Sequence, residues 1–307
     1  MRIFKNRGDI YFSKVNKVQS AEQKILLIGL ACTVIITVVF LIVLGIKNDF
    51  SAKKFFAPEN TTIKSAEETQ EQEKLPEVKG KTNFITAVYD DETLLFAYVV
   101  QTDMDAKAYK VCSLKALTEA QGNNLDKIFA QSGIVNLKNA VESELGITSD
   151  YYIGIDKKNM EEIFDDMGSI NYPILNDIKY SGDKDNSSYS IKINSGEQKI
   201  SGKQFINLIR YYLEQEDNPS MANDLILAAF SQLINSENHA KSDDIFKKFS
   251  AYAQTNITVR DFSAASDKIE VMSSERSSMG AYNANAQYDG NKINSESLRK
   301  IKGYFVK

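Results

Sequence analysis

Side chains able to do covalent or metal chemistry are few in this sequence. The 307 residues include one histidine, His239, and two cysteines, Cys32 and Cys112. One imidazole has no partner for a histidine metal site, and two cysteines exclude a disulfide scaffold or a thiolate cluster. A Ser-His-Asp hydrolase would have to recruit His239, and no nucleophile-elbow pattern accompanies it. Asp183-x-Asp185 opens like a calcium loop, but Ser188 stands where the loop needs glycine and Asn194 where it needs glutamate, so a solvated loop is expected. No metal ligands are assigned from residue type. Permanent cations are scarce as well: beyond Arg2 and Arg7 the arginines are Arg210, Arg260, Arg276 and Arg299. Arginine is the side chain whose planar fork best matches phosphate, so any phosphate recognition here must be local. Arg210 has Glu214 four residues on, the spacing of an ion pair along one helix face.

The elements that would position such residues begin with an anchor. Residues 25–46, ILLIGLACTVIITVVFLIVLGI, form an uncharged run of 22. At about 1.5 Å per residue a helix of that length crosses a bilayer core of roughly 30 Å. A cleaved leader has a shorter apolar region and a small-residue cleavage site directly after it, which this stretch lacks. Arg2, Lys5, Arg7, Lys14, Lys17 and Lys24 precede the span, so residues 1–24 are expected in the cytoplasm and the rest outside the cell membrane, as a single-pass protein. The formal net charge is −4; the tail holds six basic and two acidic residues, and the exported part is left at −8. That balance argues against a nucleic-acid partner. Cys112 lies alone in an apolar strand pattern and reads as a buried small hydrophobe.

Residues 47–81, rich in Glu, Gln, Thr and Lys, read as an extracytoplasmic stalk too polar to fold alone. From residue 82 to 307 strands alternate with helices, which predicts a single α/β domain with a central β-sheet flanked by helices. Strands are expected at Phe84–Tyr89 and Thr93–Gln101 around the turn Asp90-Asp91-Glu92, at Ala108–Leu114, at Tyr151–Ile155 and near Ile269–Met272. Helices are expected at Leu137–Leu145 with Gly146 as C-cap, at Asn159–Met167 closed by Gly168, from Ser201 or Gly202 through Tyr212, from Ser220 to about Ile234, and from Ser295, which would cap its own helix. Asp177–Ser188 and Asn235–Asp243 read as loops.

Several stretches, in fixed order, resemble the LytR-CpsA-Psr family of envelope proteins. They are Asn83-Phe-Ile-Thr-Ala-Val-Tyr-Asp90; Gly146-Ile-Thr-Ser-Asp-Tyr-Tyr-Ile-Gly-Ile-Asp156, followed by Asp166-Met-Gly-Ser-Ile170; Ile193-Asn-Ser-Gly-Glu-Gln-Lys-Ile-Ser-Gly202 running into Arg210-Tyr-Tyr212; and Thr255-Asn-Ile-Thr-Val-Arg-Asp-Phe262. The resemblance covers residues 82–307 and extends to the order of anchor, stalk and domain. It implies transfer of an undecaprenyl-diphosphate-linked glycopolymer, of teichoic acid or capsule type, onto peptidoglycan. It also implies arginines and a carboxylate-held Mg²⁺ on the diphosphate, and an apolar tunnel for the lipid.

The chain departs from the family at the arginines. Asp90-Asp91-Glu92-Thr93 is a shortened turn without the family's two arginines, and Ser113-Leu114-Lys115 lacks the one that follows the third strand. Tyr212 stands in place of the second arginine of a pair, and Ser220 and Asn223 replace two more. By the resemblance, Arg210 and Lys115 are the phosphate-binding candidates, and Asp90 and Asp217 are the carboxylates that catalysis or Mg²⁺ would use. Losing several charges from a diphosphate clamp removes several kcal/mol of transition-state stabilisation, and each ~1.4 kcal/mol is tenfold in rate. The expectation is a catalytically degenerate member that binds a polyprenyl-phosphate lipid or scaffolds cell-wall assembly proteins. The alternative is an active phosphotransferase with an altered site, and Mg²⁺ is expected only in that case.

Overall fold

The computed structural model describes residues 75–182 and 189–306. The expected cytoplasmic tail, membrane span and most of the stalk lie outside these residues. Among the described residues no helix is long and apolar enough to cross a membrane.

Six strands form a mixed sheet. The first three, β1 (Lys81–Asp90), β2 (Thr93–Asp103) and β3 (Ala108–Lys115), are an antiparallel meander. β1 and β2 meet in a two-residue turn where Asp91 has φ 54°, a left-handed conformation Asp tolerates. After β3, a short ladder of β4 (Glu119–Ala120) with β5 (Asn123–Asn124) leads into α1 (Leu125–Leu145). β6 (Tyr151–Asp156) then returns parallel to β1, and α2 (Lys157–Met167) follows directly, capped by Asp156.

The next segment is an excursion of paired strands: β7 (Ile170–Ile174) with β10 (Gly196–Ile200), and β8 (Ile178–Ser181) with β9 (Ser190–Ile193). Five helices come next: α3 (Gly202–Glu214), α4 (Pro219–Leu233), α5 (Ser236–Ala240), α6 (Ser242–Tyr252) and, past the edge strand β11 (Ala253–Thr255), α7 (Val259–Ala264). The chain ends with α8 (Ser266–Ser274), β12 (Gly280–Asn283), the small ladder β13 (Tyr288–Asp289) with β14 (Lys292–Ile293), and α9 (Ser295–Phe305). The sheet order is β11-β6-β1-β2-β3-β12.

Both sheet faces are buried, so β2 is an almost continuous apolar run. Phe96, Tyr98 and Val100 point into a core shared with α2, α3 and α4, whereas Ala97 and Val99 point into a second core under α1 and α9. A register shift at Val88/Tyr89 interrupts the alternation, which is why Leu95 and Phe96 share a core. Gly202 sits where α3 crosses α2: a Cβ there would lie 2.5 Å from the Glu161 carbonyl oxygen. Gly146 ends α1 in the left-handed conformation at φ 63°, as expected of a glycine C-cap.

The single α/β domain and most elements agree with the sequence, and several details differ. Ile269–Met272 is helical, within α8, because Ile269 and Met272 share one helix face toward a cleft described below. α1 begins twelve residues earlier than expected and kinks at Gly133. The polar stretch after Asp177 is partly the strand β8, held by its ladder to β9, while residues 183–188 lie outside the described set. His239 is in the short helix α5, capped by Asn235, instead of a loop. The cap of α9 is Asn294, whose side chain accepts from the Ser297 N–H at 2.8 Å; Ser295 is already inside the helix.

Candidate functional site

The carboxyl ends of β1, β3 and β6 lie at one edge of the sheet, placing Asp90, Lys115 and Asp156 there together with the start of α2. This edge is closed by internal pairing. The Asp90 carboxylate is ion-paired with Lys157, the first residue of α2, and Asp156 accepts the Lys158 N–H at 2.8 Å. Lys115, with a side chain only 15% exposed, is ion-paired with Asp217 in the α3–α4 connection. Its ammonium also lies 4.3 Å from the centre of the Tyr288 ring. Lys115 and Asp217 are thus brought together, but as partners of each other.

Arg210 is on α3 and is 5% exposed. Its Nε donates to Glu214 Oε1 at 2.8 Å and its guanidinium stacks 4.1 Å from the centre of the Tyr189 ring. Tyr189 packs in turn against Tyr180, which meets Tyr211, so tyrosines fill the space beside the guanidinium. Burial raises the Tyr189 hydroxyl above its ordinary pKa, with Glu214 adding to the shift and Arg210 opposing it.

Two of the other positions where the resemblance would place arginine, Tyr212 and Asn223, are built into the core. Tyr212 is 2% exposed, and burial pushes its hydroxyl up to about 12. Asn223 is fully buried: its Oδ1 accepts the Ser113 N–H at 2.6 Å and its Nδ2 donates to Asn283 Oδ1 at 2.7 Å. Asn283 donates on to Ser220 and Asp224. Together with the Ser113 hydroxyl donating to the Pro219 carbonyl, this network draws the start of α4 down onto β3. Cys112 is fully buried beside it, with burial pushing its thiol up to about 12, so it is a packing residue.

The donor set at this edge does not fit Mg²⁺. Lysines engage the carboxylates of Asp90 and Asp217, and among the described residues no three His, Cys, Asp or Glu side chains converge as around a metal ion.

A different kind of site lies at the far ends of α2 and α4. A cleft of about 330 Å³ is lined by Ile163 and Met167 of α2, the end of α4, and Ile245, Phe246 and Phe249 of α6. A second, of about 370 Å³, shares Phe246, Phe249, Phe262, Ile269 and Met272 with it and opens toward Lys81, Asp150 and Tyr151. None of Asp90, Lys115, Arg210 or Asp217 lines either cleft. His239 lines the first, and also a smaller pocket with Ser242, Asp243, Ser263 and Ser266. The matched motifs fix the cleft's rim. Asn256 accepts the Tyr152 N–H at 2.8 Å and donates to the Asp150 carbonyl at 3.0 Å, and Asp261 accepts from the Tyr151 hydroxyl at 3.2 Å.

Lys157, Tyr189 and Tyr288 were not singled out in the sequence. The available signal was Lys157 following a strand that pairs parallel with β1; nothing local marks the two tyrosines.

This mixed sheet between helical layers, with its polar edge, is that of a known class of envelope protein. A family model described as the LytR_cpsA_psr family matches residues 99–303, and the chain belongs to that family. Solved structures share the fold. A protein of Eubacterium siraeum DSM 15702, described as a transcription regulator, is 19% identical with a TM-score of 0.64, covering 79% of this chain and 98% of its own. TagV of B. subtilis is 18% identical with a TM-score of 0.56, covering 74% and 96%. TagT bound to LIIa-WTA is 13% identical with a TM-score of 0.54, covering 76% and 92%. A search of curated proteins found no match.

Proposed function

We propose that this protein is a membrane-anchored, extracytoplasmic member of its family that works in cell-wall glycopolymer assembly as a binding or scaffolding module and not as a phosphotransferase. Family membership supports the setting, and the relative bound to LIIa-WTA points the same way. The observation that carries the degenerate reading is that the cations of the polar edge are consumed internally. Lys115 is paired with Asp217, Arg210 with Glu214 and Tyr189, and Asn223 and Tyr212 are core residues. A diphosphate in transfer develops charge that preorganised cations must meet, and cations already neutralised by neighbours give little differential stabilisation. The apolar clefts are the part of the molecule suited to the hydrocarbon of a polyprenyl-phosphate lipid. Residues 25–46 would hold the domain outside the membrane.

The test is turnover. Full-length protein in detergent, given a polyprenyl-diphosphate-linked glycan and Mg²⁺, is expected to release no polyprenyl phosphate above the protein-free control. Sustained release that is lost in Lys115→Ala or Arg210→Ala would establish the phosphotransferase instead.

A further inference from the structure

Helix α6 is held to the domain differently from its neighbours. α3 and α4 bury most of their length, whereas α6 has no buried residue; its Ile245, Phe246 and Phe249 face the clefts and not the core. A helix over unfilled space lacks the packing that holds core helices shut, and opening is drawn from such weakly packed elements. Both of its ends are suited to pivoting. It starts at Lys241, which also closes α5 and gives α6 no side-chain cap, and it runs into the three-residue edge strand β11. Just past β11 the chain is pinned by Asn256 to the backbone of Asp150 and Tyr152. Between the ends, Lys248 pairs with Glu162 at 2.6 Å and with Asp166, both on α2, and the Tyr252 hydroxyl reaches Glu162 at 3.5 Å. On the other side Phe246 stacks on Phe262 of α7, with ring centres 4.1 Å apart and planes within 5°. Those two rings stand between the clefts and line both.

We propose that α6 is a hinged lid: Lys248 latches it to α2, and release of the latch parts the Phe246–Phe262 stack and joins the two clefts into one channel. The joined channel admits a hydrocarbon chain, since no carboxylate, lysine or arginine lines the first cleft, and the wall it shares with the second is apolar, while the charges of the second are those of Lys81, Asp150, Asp261 and Lys268. The choice of a hydrocarbon occupant rests on the lipid-binding reading above; the lid does not.

Amide hydrogen exchange of the full-length protein, followed by mass spectrometry, tests it. Lys248→Met and the double variant Glu162→Gln/Asp166→Asn are each expected to speed exchange of residues 242–252 about tenfold while residues 202–214 stay unchanged. Lys248→Arg, which keeps the ion pairs, is expected to behave as the native protein. Geranylgeraniol added from mixed micelles is expected to slow exchange in residues 242–252 and 259–274. Equal acceleration in 202–214 and 242–252, or none in either, overturns the lid. Selective acceleration without protection by geranylgeraniol supports the lid and overturns the lipid-binding reading.

Discussion

The two ends of α2 and α4 are opposites. At one end, against the carboxyl edge of the sheet, every named polar side chain has found a partner within the fold: Lys157 with Asp90, Lys115 with Asp217, Asn223 with Ser113 and Asn283. At the other, apolar side chains from α2, α4, α6 and α8 surround space that the chain does not fill. Charges that satisfy one another are spent on stability, while unfilled apolar surface is available to a ligand. Under the proposed function, binding belongs to the cleft and structural work to the edge, the reverse of what an arginine-clamped diphosphate site would require.

Substitutions at the two ends are expected to differ in cost. Asn223→Ala leaves the buried Ser113 N–H without its acceptor and is expected to cost about 2–3 kcal/mol in denaturant unfolding, whereas Ile245→Ala, at the cleft wall, is expected to cost about 1 kcal/mol or less. If Ile245→Ala proves the more damaging, the cleft is core and the contrast fails.

Acid is a second probe. Burial alone would raise the Asp103 carboxyl, but Lys110 at 2.7 Å and the Ala106 N–H hold it below the ordinary carboxylate value; Glu142 is lowered against its own burial by Lys138 and Ser149. Because the folded pKa is the lower one, this stability is present above the unfolded values, near 3.9 for Asp and 4.3 for Glu, and is lost as pH falls through the folded ones. A melting temperature that declines on acidification below those values in the native protein, and declines less in Asp103→Asn, is expected.

The smallest effect is expected at Tyr109, which is 1% exposed with its ring on Phe230 and its hydroxyl unpartnered among the described residues. Removing an unsatisfied buried hydroxyl in Tyr109→Phe should leave stability unchanged or raise it by about 1 kcal/mol, read as a shift of the unfolding midpoint.

The centre of the sheet was legible in the sequence because β-branched and aromatic runs bounded by turn residues mark it: β1, the Asp90–Thr93 turn, β2, β3 and β6 fall where the pattern puts them, whereas the edge strands β11 and β12, of three and four residues, are too short to show one. The helices α2, α3 and α4 were legible from apolar spacing and from caps such as Ser201. α8 was not, since Ile269, Val271 and Met272 are β-branched or long apolar residues in a short run that fits either period. The missing arginines could be seen, but what replaced them could not. That Asn223 is a fully buried hub, and that Tyr189 covers Arg210, depend on contacts between residues far apart in the chain. The ion pair of Arg210 with Glu214 was readable because both lie on one helix. That of Lys115 with Asp217 was not, since it joins a strand end to a loop over a hundred residues away.

Calorimetric titration of inorganic pyrophosphate into the native protein and into the double variant Glu214→Gln/Asp217→Asn asks whether the cations of the polar edge are already neutralised within the fold. No measurable binding to the native protein is expected, with binding gained when residues 214 and 217 no longer carry charge beside Arg210 and Lys115. Tight binding to the native protein that disappears in Lys115→Ala would contradict that neutralisation.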